Sequence, residues 1–143
     1  MTERIIRASD PRIAAAGMGS FYRHGWHSWS PTGWVDPALP VAPIPDEGRR
    51  LGHDDPTVAF ETRVSGSAVG VALGADGRAT LLGALAPDAR VRPDGASLVG
   101  SSEAGPIDWL VTEGTTPEVF ATYARHLAEA FGARPRRRMR VWC

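Results

Sequence analysis

The chain has 143 residues, of which 43% are hydrophobic and 22% charged, as in an ordinary soluble globular protein. That length suits a single domain. No apolar run approaches the ~20 residues that a membrane-spanning helix needs, so no membrane partner is expected. The one cysteine, Cys143, excludes an internal disulfide framework and fits a reducing compartment. Because no signal-peptide pattern follows Met1, we expect a cytoplasmic protein.

Charge is spread unevenly along the chain, although its formal balance is zero. All sixteen basic residues are Arg. Residues 34–133 hold seven of them against fourteen acidic residues, and residues 134–143 hold five and no acid. An acidic body disfavours binding to a phosphate backbone over a broad face. Because residues 134–140 are so basic, an alternative interpretation is that the chain is a small nucleic-acid-binding module with a basic tail. They carry no interleaved aromatic residues, so a linker is favoured and no nucleic-acid partner is predicted.

Residues 1–24 carry only a weak pattern, in which three isoleucines could begin a strand. These are Ile5, Ile6 and Ile13. Proline and a run of small residues interrupt the pattern, so no strand is firmly predicted there. Residues 31–56 are rich in Pro, and that composition sustains neither a helix nor a central strand. They predict a long surface excursion with extended pieces.

From Thr57 onward the sequence predicts a run of short strands separated by turn residues. The predicted strands are Thr57–Val64, Ala68–Leu73, Ala79–Leu85, Arg90–Arg92, Ala96–Val99 and Ile107–Val111. The predicted turns are Ser65–Ser67, Gly74–Gly77, Pro87–Asp88, Pro93–Gly95 and Gly100–Gly105. Strands of this length with turn signals every 8–12 residues are typical of a β-sandwich.

One helix is predicted after the strands. Thr115 or Thr116 can cap it, Pro117 suits its first position, and Glu118 favours the positive end of the helix dipole. Gly132 and the following Pro135 end it. The predicted apolar stripe is Phe120, Tyr123, Ala124, Leu127, Ala130 and Phe131, and the predicted polar side is Glu118, Thr122, Arg125 and Glu129.

These elements predict a mainly β fold, a sandwich of short antiparallel strands with a C-terminal amphipathic helix. We expect the sandwich to occupy residues 1–114 and the helix residues 115–133. Residues 134–143 are expected to form a basic linker and the start of another strand, because Met139, Val141 and Cys143 alternate with polar or outward-facing residues.

Three of the five tryptophans fall between residues 26 and 34, among Gly, Ser and Pro. Trp26 and Trp29 are three positions apart, which in a strand places them on opposite faces. One indole can then anchor in a core while the other is displayed. A displayed indole suits a sugar, whose C–H face stacks on the ring while His27 and Ser28 hydrogen-bond its hydroxyls. The alternative is that all the rings are structural and hold an irregular loop on a sheet.

Two segments resemble a known enzyme family. Gly25-Trp26-His27-Ser28-Trp29-Ser30 resembles the Gly-Trp-Gln-Ser-Trp-Ser segment in the N-terminal domain of the family-36 (clan D) α-galactosidases. Val141-Trp142-Cys143 resembles the opening of that family's Gly-Trp-Cys-Ser-Trp-Tyr, the first strand of its catalytic (β/α)8 barrel. The elements between the two segments occur in the same order as in the family. His27 and Val141 stand where the family has Gln and Gly.

The resemblance implies a β-supersandwich that precedes a catalytic barrel and packs on it. It implies that Trp29 reaches the galactose pocket, supported by Trp26 and Ser28, and that Trp142 and Cys143 begin the barrel, while His27 stands in the place of the family's Gln. It further implies an intact parent protein that is a retaining α-galactosidase in carbohydrate metabolism. The implied partners are an α-galactoside, the downstream barrel and further copies of the same chain in a homo-oligomer.

The reactive groups themselves are not predicted in this chain. Retaining glycoside hydrolysis needs two carboxyl groups about 5–5.5 Å apart, and the family's aspartates lie on later barrel strands. The local pairs Asp54-Asp55 and Asp46-Glu47 are adjacent in a Pro-rich stretch, where neighbouring side chains point different ways. We therefore expect no catalytic residue here and an inactive isolated chain. The four histidines lack zinc spacing and no phosphate-binding glycine loop is present, so neither metal nor cofactor is predicted.

A second interpretation belongs to another class of protein. The chain could be a free-standing carbohydrate-binding β-sandwich in which Trp26, Trp29 and Trp34 form the sugar platform. Continuation of the coding sequence beyond Cys143 with Ser-Trp-Tyr favours the galactosidase interpretation. Galactoside binding by the isolated chain favours the second.

Overall fold

A computed structural model describes residues 2–24, 32–38 and 66–133. In chain order its strands are β1 (Thr2–Ala8), β2 (Arg12–Ala14), β3 (Ser20–Arg23), β4 (Gly33–Val35), β5 (Gly66–Ser67), β6 (Val69–Leu73), β7 (Ala79–Ala84), β8 (Ala89–Asp94), β9 (Ser97–Ser102) and β10 (Ile107–Gly114). Helix α1 (Thr116–Phe131) follows them. Within the described ranges, no helix is long and apolar enough to cross a membrane.

The strands form two antiparallel sheets. The larger sheet has the order β1-β10-β7-β6-β3-β4, and the smaller sheet has the order β2-β9-β8-β5. Ten strands in two stacked sheets with a helix after them confirm the predicted fold class, a mainly β sandwich with an amphipathic helix.

The central strands of the larger sheet are buried on both faces, and β7 shows this best because all six of its residues are buried. Leu82 packs toward the smaller sheet and Leu81 toward the helix, since successive side chains of a strand point to opposite faces. The core between the sheets contains Ile13, Phe21, Ala72, Leu82, Ala84, Ala89, Val91, Leu98, Ile107, Trp109 and Val111. The core between sheet and helix contains Val69, Val71, Ala79, Leu81, Leu110, Val119 and Tyr123.

The predicted hairpin at Gly74–Gly77 is confirmed. The Gly77 N–H donates to the Gly74 carbonyl at 3.0 Å, and Gly77 adopts a φ of +80°, where glycine carries no steric penalty. The Asp76 carboxylate accepts the Arg78 N–H at 3.0 Å and closes the turn. The strands on either side pair in register from Leu73 with Ala79 onward.

The N-terminal residues form three strands where the sequence indicated at most a weak start. β1 pairs along its whole length with β10, from Thr2 opposite Glu113 to Ala8 opposite Ile107. Its partner lies about a hundred residues away in sequence, and most of β1 stays exposed, so its residues carry no regular burial pattern. Ile6 packs against the core, whereas Ile5 is 46% exposed.

Several predicted turn boundaries are wrong. Gly66–Ser67, predicted as a turn, is strand β5 and pairs with β8. β8 runs through Pro93 to Asp94, and the chain turns at Gly95, whose φ is +59°. Gly33–Val35 adds a short edge strand inside the predicted excursion. The predicted strand Thr57–Val64 lies outside the described residues.

The helix begins and ends as predicted. The N–H and the hydroxyl of Thr115 both donate to the Glu118 carboxylate at 2.8 Å, and Gly132 ends the helix in the left-handed conformation with φ +62°. The predicted faces of the helix are partly wrong. Thr122, predicted on the polar side, is buried with Val119 and Tyr123. Ala124, Ala130 and Phe131 of the predicted stripe are exposed, Phe131 by 58%, so the contact face is rotated from that stripe.

The carboxylate at the start of α1 makes a testable contribution to stability. Donation from the Thr115 backbone N–H, and then from its hydroxyl, holds the pKa of Glu118 below its ordinary value of 4.5. A lowered pKa in the folded state means that the stabilisation is complete above pH 4.5 and is lost as the pH falls through the folded-state pKa. We expect Glu118→Gln to flatten the acid-side loss of stability measured by urea unfolding at a series of pH values. Thr115→Val, which keeps the N–H donor, should give an intermediate slope. An unchanged slope in Glu118→Gln would contradict this role.

Candidate functional site

The residues predicted to bind sugar, Trp26, His27, Ser28 and Trp29, lie outside the described residues, as do Trp142 and Cys143. The structure describes the strands on both sides of the Trp-rich motif. Arg23 at the end of β3 pairs with Gly33 at the start of β4. The motif therefore connects two neighbouring strands at one end of the larger sheet.

An apolar groove lies at that same end of the sheet, between the sheet and helix α1. Its volume is about 540 Å³. Its lining residues come from the end of β3, the start of β6, the end of β7 and the helix. They are Tyr22, His24, Ala68, Val69, Ala84, Ala86, Pro87, Phe120, Tyr123, Ala124, Leu127 and Phe131. The end of β3 lies beside the start of β6, because the two strands are antiparallel and Arg23 is opposite Gly70. This pairing brings the lining residues of the two strands to the same end of the sheet.

Tyr123 closes the inner side of the groove. Its hydroxyl donates to the Ala84 carbonyl at 2.9 Å, and burial raises the pKa of the phenol to about 12. The phenol therefore stays neutral at physiological pH and is unsuited to proton transfer there. The ring lies against β7 because residue 83 is glycine, since a Cβ at Gly83 would lie 2.7 Å from Tyr123 Cδ2.

A row of aromatic rings leads from the surface to the groove. The ring of Trp34 meets that of Tyr22 edge-on with centroids 5.5 Å apart, and Tyr22 meets Phe120 in the same way at 4.9 Å. Tyr22 and Trp34 are opposite each other across β3 and β4, and Trp34 remains 41% exposed. Tyr22 was not predicted from the sequence, although its place shortly before the Trp-rich motif and its alternation with buried Phe21 are signals that could have identified it.

The chemistry of the groove is that of an apolar receptor. Its polar side chains are those of His24, Tyr22 and Tyr123. The described residues that line it include no Asp and no Glu. Glycoside hydrolysis requires a carboxylic acid and a carboxylate on either side of the bond. The described lining residues therefore cannot perform that reaction. The acidic pairs considered in the sequence, Asp46-Glu47 and Asp54-Asp55, lie outside the described residues.

Charged side chains cluster elsewhere, at the opposite edge of the larger sheet, where β1 lies. Arg125 of α1 binds both Glu3 carboxylate oxygens, at 2.8 and 3.1 Å, and His126 Nε2 lies 3.6 Å from Glu3. The hydrogen bond from Arg125 lowers the pKa of Glu3. This cluster fastens the helix to β1. In residues 2–24, 32–38 and 66–133, no three metal-binding side chains come together.

Comparison with known proteins points to one enzyme. No protein-family model matches the chain, and a search of curated proteins found no match. Among solved structures, the chain is similar to TtGalA, an α-galactosidase from Thermus thermophilus, in complex with p-nitrophenyl α-D-galactopyranoside. The identity is 40% and the TM-score 0.78, over 86% of this chain and 26% of the Thermus chain. The same enzyme in complex with stachyose matches with equal identity and TM-score, over 85% and 27% of the two chains. The chain thus spans about a quarter of the length of the protein it resembles.

The contact between Gly83 and Tyr123 makes a stability prediction. Gly83→Ala forces a methyl group into the ring, and overpacking of this kind costs about 1–3 kcal/mol in the free energy of unfolding. In a Tyr123→Leu background the loss should shrink, because the ring is gone. The matched control is Gly77→Ala, whose cost comes from a φ of +80° with open space around it and should be equal in both backgrounds. Equal losses for Gly83→Ala in both backgrounds would contradict the assigned contact.

Proposed function

We propose that this chain is the N-terminal, non-catalytic β-sandwich of an α-galactosidase of glycoside hydrolase family 36. The observation that carries the proposal is the similarity in sequence and fold to about a quarter of an enzyme whose ligands are α-galactosides. The Trp-rich motif and the Val141-Trp142-Cys143 segment support the same assignment independently. In this proposal residues 1–114 are the sandwich, 115–133 the linking helix, and 134–143 the linker and first strand of the barrel.

The described residues support different roles for the sandwich and the barrel. The sandwich has a sheet whose central strands are packed on both faces, and it has an apolar groove. The described lining of that groove holds no carboxyl group. We propose that the nucleophile and the general acid of a retaining mechanism are carried by the barrel. The sandwich then contributes shape and position to the sugar pocket, and the reaction is completed by residues beyond Cys143.

We further propose that Trp29 stacks on the galactose ring, with His27 and Ser28 as hydrogen-bonding neighbours and Trp26 as an anchor. The described strands on either side of the motif in sequence, β3 and β4, carry Tyr22 and Trp34 of the aromatic row. Phe131, the last residue of helix α1, lines the groove that also includes Tyr22.

The second candidate function is a free-standing carbohydrate-binding module. The observation in its favour is the 41% exposure of Trp34 on an edge strand, where its indole is available to a ligand. Titration of the isolated chain with galactose and with stachyose, followed by NMR shift changes, separates the two. Saturable binding that Trp34→Ala abolishes would favour the module over the galactosidase segment.

The isolated chain should not hydrolyse p-nitrophenyl α-D-galactopyranoside. The physical reason is that glycosidic cleavage needs a positioned pair of carboxyl groups, and the described residues that line the groove hold none. Release of p-nitrophenol is the measurement, and a matched amount of the Thermus enzyme is the positive control. Turnover by the purified chain that Asp54→Asn or Asp46→Asn removes would contradict the proposal.

A hybrid enzyme tests the role of Trp29. In it, this chain replaces the matched segment of the Thermus α-galactosidase. Trp29→Ala should lower kcat/KM for the aryl galactoside at least about tenfold, because a stacking surface in the sugar pocket is lost. Trp34→Ala is the matched control, since it removes the same side chain from the described edge strand. It should change kcat/KM by less than about twofold.

Thermal unfolding of both hybrids separates a loss of fold from a loss of sugar contact. Trp29→Ala should keep the melting temperature of the parent hybrid within a few degrees. Equal kinetic losses for the two tryptophan variants would count against Trp29 as the sugar-contacting ring.

A further inference from the structure

In the part of the chain that the structure describes, strand β1 has an open outer edge. It lies at the end of the larger sheet, and within the described ranges its one strand partner is β10. Five of its seven residues are exposed. The other edge strands, β2, β4 and β5, have only three, three and two residues. Among the edge strands that the structure describes, β1 therefore presents the longest row of outward N–H and C=O groups. Such a row is a template for pairing with another strand.

The side chains of β1 are self-complementary in one antiparallel register. When a second copy of β1 is placed antiparallel with the two-fold axis at Ile5, Glu3 of each copy is opposite Arg7 of the other. Opposite charges facing each other across neighbouring strands stabilise the pair. The half-exposed Ile5 then meets its own copy at the centre and loses contact with water.

Neighbouring registers lack this match. An axis at Arg4 places two copies of Arg4 opposite each other, and an axis at Glu3 places two copies of Glu3 opposite each other. Like charges in directly opposite positions are destabilising. An axis at Ile6 brings no charged pair together. Among these registers, the axis at Ile5 is the one that places opposite charges face to face.

The ion pairs already present extend this pattern. Arg7 binds Asp108 at 3.1 Å with both side chains well exposed, and Glu3 binds Arg125. Across the two-fold axis these pairs would join into a row of alternating sign: Asp108 and Arg7 of one copy, then Glu3 and Arg125 of the other. Each carboxylate can accept from two guanidinium groups, since it has two oxygen atoms.

We propose that the outer edge of β1 is a homodimer contact, in which two copies of this chain join their larger sheets into one continuous antiparallel sheet centred on Ile5. The partner is a second copy of this chain, bound by backbone hydrogen bonds and two Glu3–Arg7 pairs. This contact is independent of the proposed function, because it uses neither the groove nor the Trp-rich motif.

Sedimentation velocity of the 143-residue chain over a range of concentrations tests the contact. The unsubstituted chain should sediment as a reversible dimer. Arg7→Glu and Glu3→Arg should each raise the dimer dissociation constant at least about tenfold, because each places like charges opposite one another. The decisive arm is an equimolar mixture of Arg7→Glu and Glu3→Arg chains. Both cross-strand pairs are then of opposite sign again, so a heterodimer should form although neither variant dimerises alone.

Two controls exclude effects of folding. Arg4→Glu makes the same charge change on the same strand but is opposite Ile6 in the proposed register, so the dimer should persist. Ile5→Asp, at an exposed position, should abolish the dimer while the melting temperature of the monomer is kept. A monomeric unsubstituted chain, a dimer indifferent to Arg7→Glu, or an equal effect of Arg4→Glu would overturn the proposal.

Discussion

The burial of the central strands of the larger sheet on both faces is the constraint on which the rest of the structure depends. In β7, Leu82 faces the smaller sheet and Leu81 faces the helix, and both are completely buried. Fully burying one such side chain contributes about 1.5–3 kcal/mol. A surface ion pair such as Arg78–Glu113 contributes about 0–1 kcal/mol. Apolar packing on both faces of β7 therefore contributes more than such a pair, and the Arg125–Glu3 ion pair is an additional surface contact between the helix and β1.

The two-sided packing also creates the groove. The helix is held over the centre of the sheet by Val119 and Tyr123, both of which are buried. Toward the end where β3 reaches His24, helix and sheet leave apolar side chains on both walls with an open space between them. A groove of this kind suits an apolar side chain better than a sugar, whose hydroxyls need several hydrogen-bonding partners. For this reason our proposal places the sugar contact at Trp29 and not in the groove.

Much of the fold could be predicted because its signals are local. The Asp-Gly turn before Arg78 and the caps at Thr115 and Gly132 each act within a few residues, and each was located correctly. β1 could not be predicted in the same way, because its strand character comes from pairing with β10 and not from its own pattern. Thr122 was misplaced because helical periodicity leaves the orientation of the contact face uncertain when threonine borders the stripe.

The site was predictable only in part. The Trp-rich motif was identified from its composition, and the structure describes its two flanking strands and leaves its own role as a proposal. The groove depends on Tyr22, Gly83 and Tyr123 meeting across the sheet and the helix, residues that are separated by up to a hundred positions. No spacing rule within one segment can bring such residues together, so this part of the site required the tertiary structure.

We propose above all that the sandwich places the indole of Trp29 in a sugar pocket, and that the two catalytic carboxyl groups of this pocket belong to another part of the polypeptide. The most direct measurement is a crystal structure of the hybrid with the Thermus enzyme, bound to stachyose. The account predicts that the ring of Trp29 lies in van der Waals contact with the terminal galactose, and that every carboxylate beside the anomeric carbon comes from the Thermus portion. Rings of Trp26 and Trp29 both packed inside the sandwich, or a carboxylate of this chain at the anomeric carbon, would contradict it.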